Sequence, residues 1–147
     1  ALAYAQSIGT KTVGISCNDP AELLAVADIP IPLPVGAEVL SGSTRLKAGT
    51  AQKMVLNMLS TASMVKIGKA YGNLMVDVKI TNAKLQIRAE RILMKLTGID
   101  EASASTLLEQ AEGSVKVAVV MHHENSSRTE ALQRLAETNG SLREIIG

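Results

Sequence analysis

The sequence predicts an α/β layer followed by a small all-helical region. Three observations predict it. Residues 1–34 alternate helix, strand, helix and extended segment, the order of an α/β sheet layer. Two long stretches between residues 46 and 98 carry apolar residues at helical spacing. Residues 99–147 break into short helices punctuated by capping residues.

Composition narrows the function. Lys and Arg number 15 against 14 Asp and Glu, a net charge of +1, which lacks the basic excess of a dedicated nucleic-acid binder. One cysteine excludes an internal disulfide framework and a cysteine-rich zinc site. At 46% hydrophobic and 20% charged, the chain has the means to fold. No apolar run approaches the ~20 residues that span a bilayer. There is no Trp and no Phe, and Tyr4 and Tyr71 are the two aromatics. The core is therefore aliphatic, and stacking platforms for single-stranded nucleic acid are missing.

The elements follow in order. Leu2, Ala5 and Ile8 recur at helical spacing, and Gly9 is placed to close that helix. The first residue is Ala1, and no N-cap precedes the helix, so the chain is expected to be the C-terminal piece of a longer protein. Residues 11–16 are β-branched and bounded by turn chemistry, which predicts a strand. Asp19 and Pro20 suit the start of a short helix over 21–27. Residues 29–34 alternate proline with aliphatics, so they form an edge strand or an extended segment.

From Gly36 the chain turns rich in Gly, Ser and Thr. Ala51, Val55, Met58, Ala62 and Val65 then fall on one stripe, predicting a helix over 46–69. Residues Tyr71, Gly72 and Asn73 break it. A second long helix begins near Thr81 or Asn82, turns Leu85, Ile92 and Leu96 inward, and ends at Gly98. Asp100 caps the next helix. The β-rich run 115–121 sits in a helical setting and reads as helix. Ser127 with Glu130 forms one capping box, and Ser141 with Glu144 a second. These short helices predict a thin core.

The unusual stretch is residues 36–53. Ser41, Gly42, Ser43 and Thr44 precede a long helix, whose N-terminus offers unpaired N–H groups and partial positive charge. Gly42 permits close backbone approach. Ser43 and Thr44 add hydroxyls, and Arg45 and Lys47 add charge. Together they can cradle a phosphate. Glu38 stands close by as a hydrogen-bond acceptor, acid or base. The same residues also read as a plain helix cap with a solvated basic face. The Gly-Lys-Ser/Thr order of a P-loop is absent.

This stretch resembles the signature of the family that joins N-acetylmuramic acid 6-phosphate etherases and glucokinase regulatory proteins. The matching residues are Gly36, Ala37, Glu38, Gly42, Ser43, Thr44, Arg45, Leu46, Lys47 and Lys53. The likeness continues through residues 52–60 and 71–78, where it is closest to the etherase branch. The resemblance implies the second half of a flavodoxin-like sugar isomerase (SIS) sandwich, followed by a small helical domain like a ubiquitin-associated domain. Expected domains are residues 1–78, the later part of the SIS domain; 79–98, a connecting helix; and 99–147, the helical domain.

The resemblance further implies cleavage of the D-lactyl ether of N-acetylmuramic acid 6-phosphate during recycling of the bacterial cell wall. The products are N-acetylglucosamine 6-phosphate and D-lactate. The expected steps are ring opening, loss of the C2 proton, departure of lactate from C3, and addition of water. Two glutamates serve as acid and base, and in the family they lie upstream of the part matched here. The resemblance thus names no catalytic residue in this chain, and Glu38 is the candidate within it. Glu38, Gly42, Ser43, Thr44 and Lys47 are the expected substrate-binding residues. No metal or cofactor is implied. A cytoplasmic homodimer is expected, with a phosphorylated amino sugar as partner and neither nucleic acid nor membrane. The alternative is a non-catalytic phosphosugar sensor of the regulatory branch.

Other residues carry less. His122 and His123 are adjacent and point apart on a helix, so they are expected at a helix end. Cys17 is expected as a small buried side chain. Met54, Met58, Met64 and Met75 are expected as core filler. Asp77 is expected in a structural hydrogen bond, and Arg88, Glu90 and Arg91 on a solvated or subunit-facing surface.

Overall fold

A computed structural model describes residues 1–147, which are mostly helical with two small sheets. The chain parts into two compact units, Ala1–Ser60 and Thr61–Gly147.

The first unit opens with α1 (Leu2–Ser7), which ends at Ile8 with Gly9 at φ 78°. Strand β1 (Val13–Ser16) pairs in parallel with β2 (Ile29–Pro32), with Val13 opposite Ile29 and Ser16 opposite Pro32. The sheet has only these two strands, so prolines 30 and 32 remove no donor from a central ladder. Between them lies α2 (Glu22–Val26). Asp19 does not cap it. Ala21 holds the cap position, and no side chain accepts from the helix start.

Gly14 is where α2 crosses β1 closely. A Cβ there would sit 2.8 Å from the Ala27 Cβ and 2.9 Å from the Leu23 carbonyl oxygen. At the strand entrances, Asp28 accepts from the Thr12 amide at 2.9 Å and the Thr12 hydroxyl at 2.7 Å. Lys11 and Gln6 add to the same carboxylate.

Helix α3 (Lys47–Lys66) contains the division between the units and has no buried residue. Met54, Met58 and Met64 are exposed, as is Met75, so the expectation of methionine core filler does not hold. In the first unit the buried residues are Thr12 and Gly14. A two-stranded sheet with short helices does not supply the packed layers an α/β core requires.

The second unit holds the hydrophobic core. A hairpin pairs β3 (Ala70–Tyr71) with β4 (Leu74–Met75) through the Gly72–Asn73 turn, with Gly72 at φ 56°. Helix α4 (Ala83–Thr97) is capped by Asn82, which accepts from the Leu85 amide, and it closes at Gly98 in the left-handed region. Expected as a connector, α4 places Ala89, Ile92 and Leu93 in the core. Helix α5 (Glu101–Gln110) starts at the Asp100 cap and α6 (Val115–Glu124) at the Ser114 cap. The β-branched run is thus helix, and it buries Val115, Val117, Val119 and Val120.

Helix α7 (Arg128–Glu137) carries the complete Ser127–Glu130 capping box. The second box is absent. Helix α8 (Arg143–Ile146) enters from Leu142, whose φ of −62° and ψ of −32° are already helical and whose side chain is buried. With Leu142 turned into the core, Ser141 lies one residue too early to cap, and its amide donates to the Thr138 carbonyl instead. The core also draws in Val76 and Val78 after the hairpin, so it is thicker than the short helices alone predicted. No helix is long and apolar enough to cross a membrane.

Candidate functional site

The residues the sequence singles out lie in the first unit, after the carboxyl ends of two parallel strands and at the start of α3. This is where α/β sheets place ligands. Strand β1 leads into Cys17, and β2 continues through Leu33, whose amide donates to the Ser16 carbonyl at 2.8 Å. The chain then turns at Gly36, with φ 69°, into the loop 37–46.

Glu38 organises that loop. Its Oε2 accepts from the Lys47 amide at 2.9 Å and its Oε1 from the Ala48 amide at 3.0 Å. These donors are orphans of the first turn of α3, and a carboxylate is favoured there by the helix dipole. The Ala48 and Lys47 amides, aided by the Lys47 charge, hold the Glu38 carboxyl below its ordinary value of 4.5. Glu38 is therefore a poor resting proton acceptor.

The loop is tightened from within. The Ser43 amide donates to the Leu40 carbonyl at 3.0 Å, Thr44 to Gly42 at 3.0 Å and Leu46 to Ser43 at 3.2 Å. Gly42 has φ 80°, and no neighbour approaches the position a Cβ would take. Its role here is backbone conformation. Ser43 is half-buried, while Thr44, Arg45 and Lys47 are exposed.

The structure thus brings Glu38, Gly42, Ser43, Thr44 and Lys47 into one loop and helix start. It differs from the sequence expectation in how the helix end is used. Glu38 fills the N–H groups that a phosphate was expected to occupy. The Ser41, Ser43 and Thr44 hydroxyls and the side chains of Arg45 and Lys47 remain as polar groups of the loop and helix start.

Two features escaped the sequence. Cys17 is half-buried rather than buried, and its thiol donates to the Ala48 carbonyl at 3.7 Å. A shallow apolar groove of about 490 Å³ runs beside the helix start, lined by Val35, Leu46, Lys47, Thr50, Ala51 and Met54. Neither has a sequence signal, since one depends on how Cys17 approaches α3 and the other on how Val35 does. His122 and His123 are exposed in the last turn of α6. Asp77 pairs with Lys69 at 2.9 Å, and Glu90 accepts from Gln86 at 2.8 Å.

The chain is 58% identical to an N-acetylmuramic acid 6-phosphate etherase of Listeria welshimeri, over 99% of this chain and 49% of the relative. It is 53% identical to that of Geobacillus thermodenitrificans, over 99% of the chain and 50% of the relative. Across this span the chain is similar to the etherases. An etherase of Rhodopirellula baltica is 48% identical, over 99% of the chain and 48% of the relative. The chain spans about half the length of the curated etherases it matches. A family model described as the C-terminal lid domain of glucokinase regulatory protein matches residues 72–117. The etherase likeness therefore includes the loop built on Glu38, and the lid-domain match starts at the β3–β4 hairpin and ends within α6.

Proposed function

We propose that this chain supplies the C-terminal half of a carbon–oxygen lyase. The enzyme cleaves the D-lactyl ether of N-acetylmuramic acid 6-phosphate, giving N-acetylglucosamine 6-phosphate and D-lactate in cell-wall recycling. The observation that carries this reading is the identity of 48–58% to etherases across 99% of the chain. In the proposed reaction a base takes the C2 proton of the opened sugar, and lactate leaves from C3. Water then adds at C3 and a proton returns to C2. The acid and base belong to the part of the enzyme outside this chain.

In this reading residues 1–78 are the later part of a flavodoxin-like SIS domain, 99–147 a helical domain of the ubiquitin-associated type, and 79–98 the connecting helix, which also packs on that helical domain. The parallel pairing of β1 and β2 ahead of α3 supports the first assignment. The phosphosugar is held by Gly42, Ser43, Thr44 and Lys47, with Glu38 beside them. The enzyme is a cytoplasmic homodimer. Exposed apolar residues such as Met54, Leu56 and Met58 on α3 support cover by further protein.

The full-length enzyme, run in deuterated and in 18O-labelled water, tests the chemistry. Elimination followed by hydration puts deuterium at C2 and 18O in the C3 hydroxyl. Lactate release without label at C2 contradicts it. The lid-domain match favours one second reading, a phosphosugar sensor without chemistry. A sensor binds N-acetylglucosamine 6-phosphate and releases no lactate.

A further inference from the structure

We propose that Glu38 is a positioning residue: it clamps the two ends of the loop 39–46 together and so holds the Ser43 and Thr44 hydroxyls ready for the sugar phosphate. This rests on the phosphosugar reading above and assigns Glu38 a role in it that is neither base nor direct ligand.

The geometry carries the inference. Glu38 precedes the loop, and Lys47 and Ala48 follow it. Both carboxylate oxygens are spent on those two amides, at 2.9 and 3.0 Å. The loop amides of Ser43, Thr44 and Leu46 are spent on carbonyls of residues 40, 42 and 43. These three bonds order the loop between residues 40 and 46, and the hydroxyls of Ser43 and Thr44 have no partner within the chain. A fixed negative charge on the first turn of α3 also disfavours a phosphate at those amides. It directs the anion toward the hydroxyls and the Arg45 and Lys47 side chains. The direct contacts within the loop are few: Val39 and Leu40 are exposed, and the Gly42 turn has open space around it. The other ties are short-range backbone bonds within residues 40–46 and the Gly49 amide on the Thr44 carbonyl, so the Glu38 carboxylate is the side-chain tie that joins the two ends of the loop.

The role differs from catalysis in what it does to rate. A preformed phosphate site binds ground state and transition state alike, so its loss raises KM and spares kcat. The test compares the full-length enzyme with Glu38→Ala, Glu38→Gln and Ala48→Pro. Glutamine keeps one acceptor oxygen of the two. Proline at 48 removes one donor without touching Glu38, and proline is tolerated in the first turn of a helix. The expected KM rises are about tenfold for Glu38→Ala and about threefold for each of the other two, with kcat within about threefold.

A kcat loss of more than about a hundredfold in both Glu38 variants, with KM held, makes Glu38 catalytic and overturns the proposal. An unchanged KM in all three variants overturns it as well. If Glu38→Ala fails to fold, the glutamine and proline variants decide the matter alone. The wild-type enzyme separates the two claims. If it releases no lactate, the etherase reading fails, and calorimetry with N-acetylglucosamine 6-phosphate on the same variants still reads the clamp through the same graded losses of affinity.

Discussion

Thr12 and Asp28 bond each other in both directions. The Thr12 hydroxyl and amide donate to the Asp28 carboxylate at 2.7 and 2.9 Å, and the Asp28 amide donates back to the Thr12 hydroxyl oxygen at 3.1 Å. The pair ties the entrance of β1 to that of β2, since Thr12 precedes one strand and Asp28 the other.

This pairing predicts an acid sensitivity with a definite sign. The Thr12 hydroxyl first, then Lys11, the Thr12 amide and Gln6, hold the Asp28 carboxyl far below its ordinary value of 3.8. The folded value is depressed, so the stabilisation is complete above the unfolded value. It begins to be lost as pH falls below about 3.8 and continues toward the folded value. Thr12→Val removes the hydroxyl and keeps the shape. In that variant the carboxyl carbon of Asp28, followed by NMR, titrates at higher pH than in the native chain. An unchanged titration contradicts the assignment.

The two units differ in burial, and that predicts a difference in local stability. The second unit packs Leu93, Leu108, Val119 and Val120 at 0–2% exposure, whereas the first buries no large apolar side chain. Amide exchange in the isolated 147-residue chain is therefore expected to be fast throughout residues 1–60 and slow in α4, α5 and α6. Leu93→Ala costs about 2–5 kcal/mol, read by denaturant unfolding of the second unit. Equal protection in both units contradicts this picture.

Capping offers a paired comparison. Ser127 accepts from the Glu130 amide and completes a box, whereas Ser141 has no capping contact. Ser127→Ala is expected to cost about 1 kcal/mol in urea unfolding. Ser141→Ala is expected to cost a few tenths at most. Equal losses would mean that Ser141 caps α8 after all.

These caps also show how far the sequence could be read. Asp100 and Ser127 were legible as caps, and each accepts from the first turn of its helix, because capping is a local interaction that spacing reveals; Asn82 and Ser114 cap α4 and α6 in the same way. Ser141 carries the same local pattern and fails, because Leu142 is drawn into the core and moves the helix start. The methionines of α3 failed for the opposite reason: an apolar stripe states what a helix can bury, not what is present to cover it. At the site, the loop and its residue types were legible as a group. That Glu38 fills the helix end was not, since a carboxylate nine residues from its partner amide leaves no periodic signal.

Ser43 supplies the most direct check on the loop as a phosphosugar site. The residue is half-buried in the loop that leads into α3, and the proposed hydroxyl contact is lost in Ser43→Ala. In the full-length enzyme this variant is expected to raise KM about fivefold with kcat little changed. An unaltered KM places the phosphate elsewhere.

Etherase chemistry stands or falls on D-lactate released from N-acetylmuramic acid 6-phosphate by the full-length polypeptide that carries this chain. Lactate and N-acetylglucosamine 6-phosphate are expected in equal amounts, and none from the 147-residue chain alone. Tight phosphosugar binding with no lactate would contradict it, leaving a sensor in place of an enzyme.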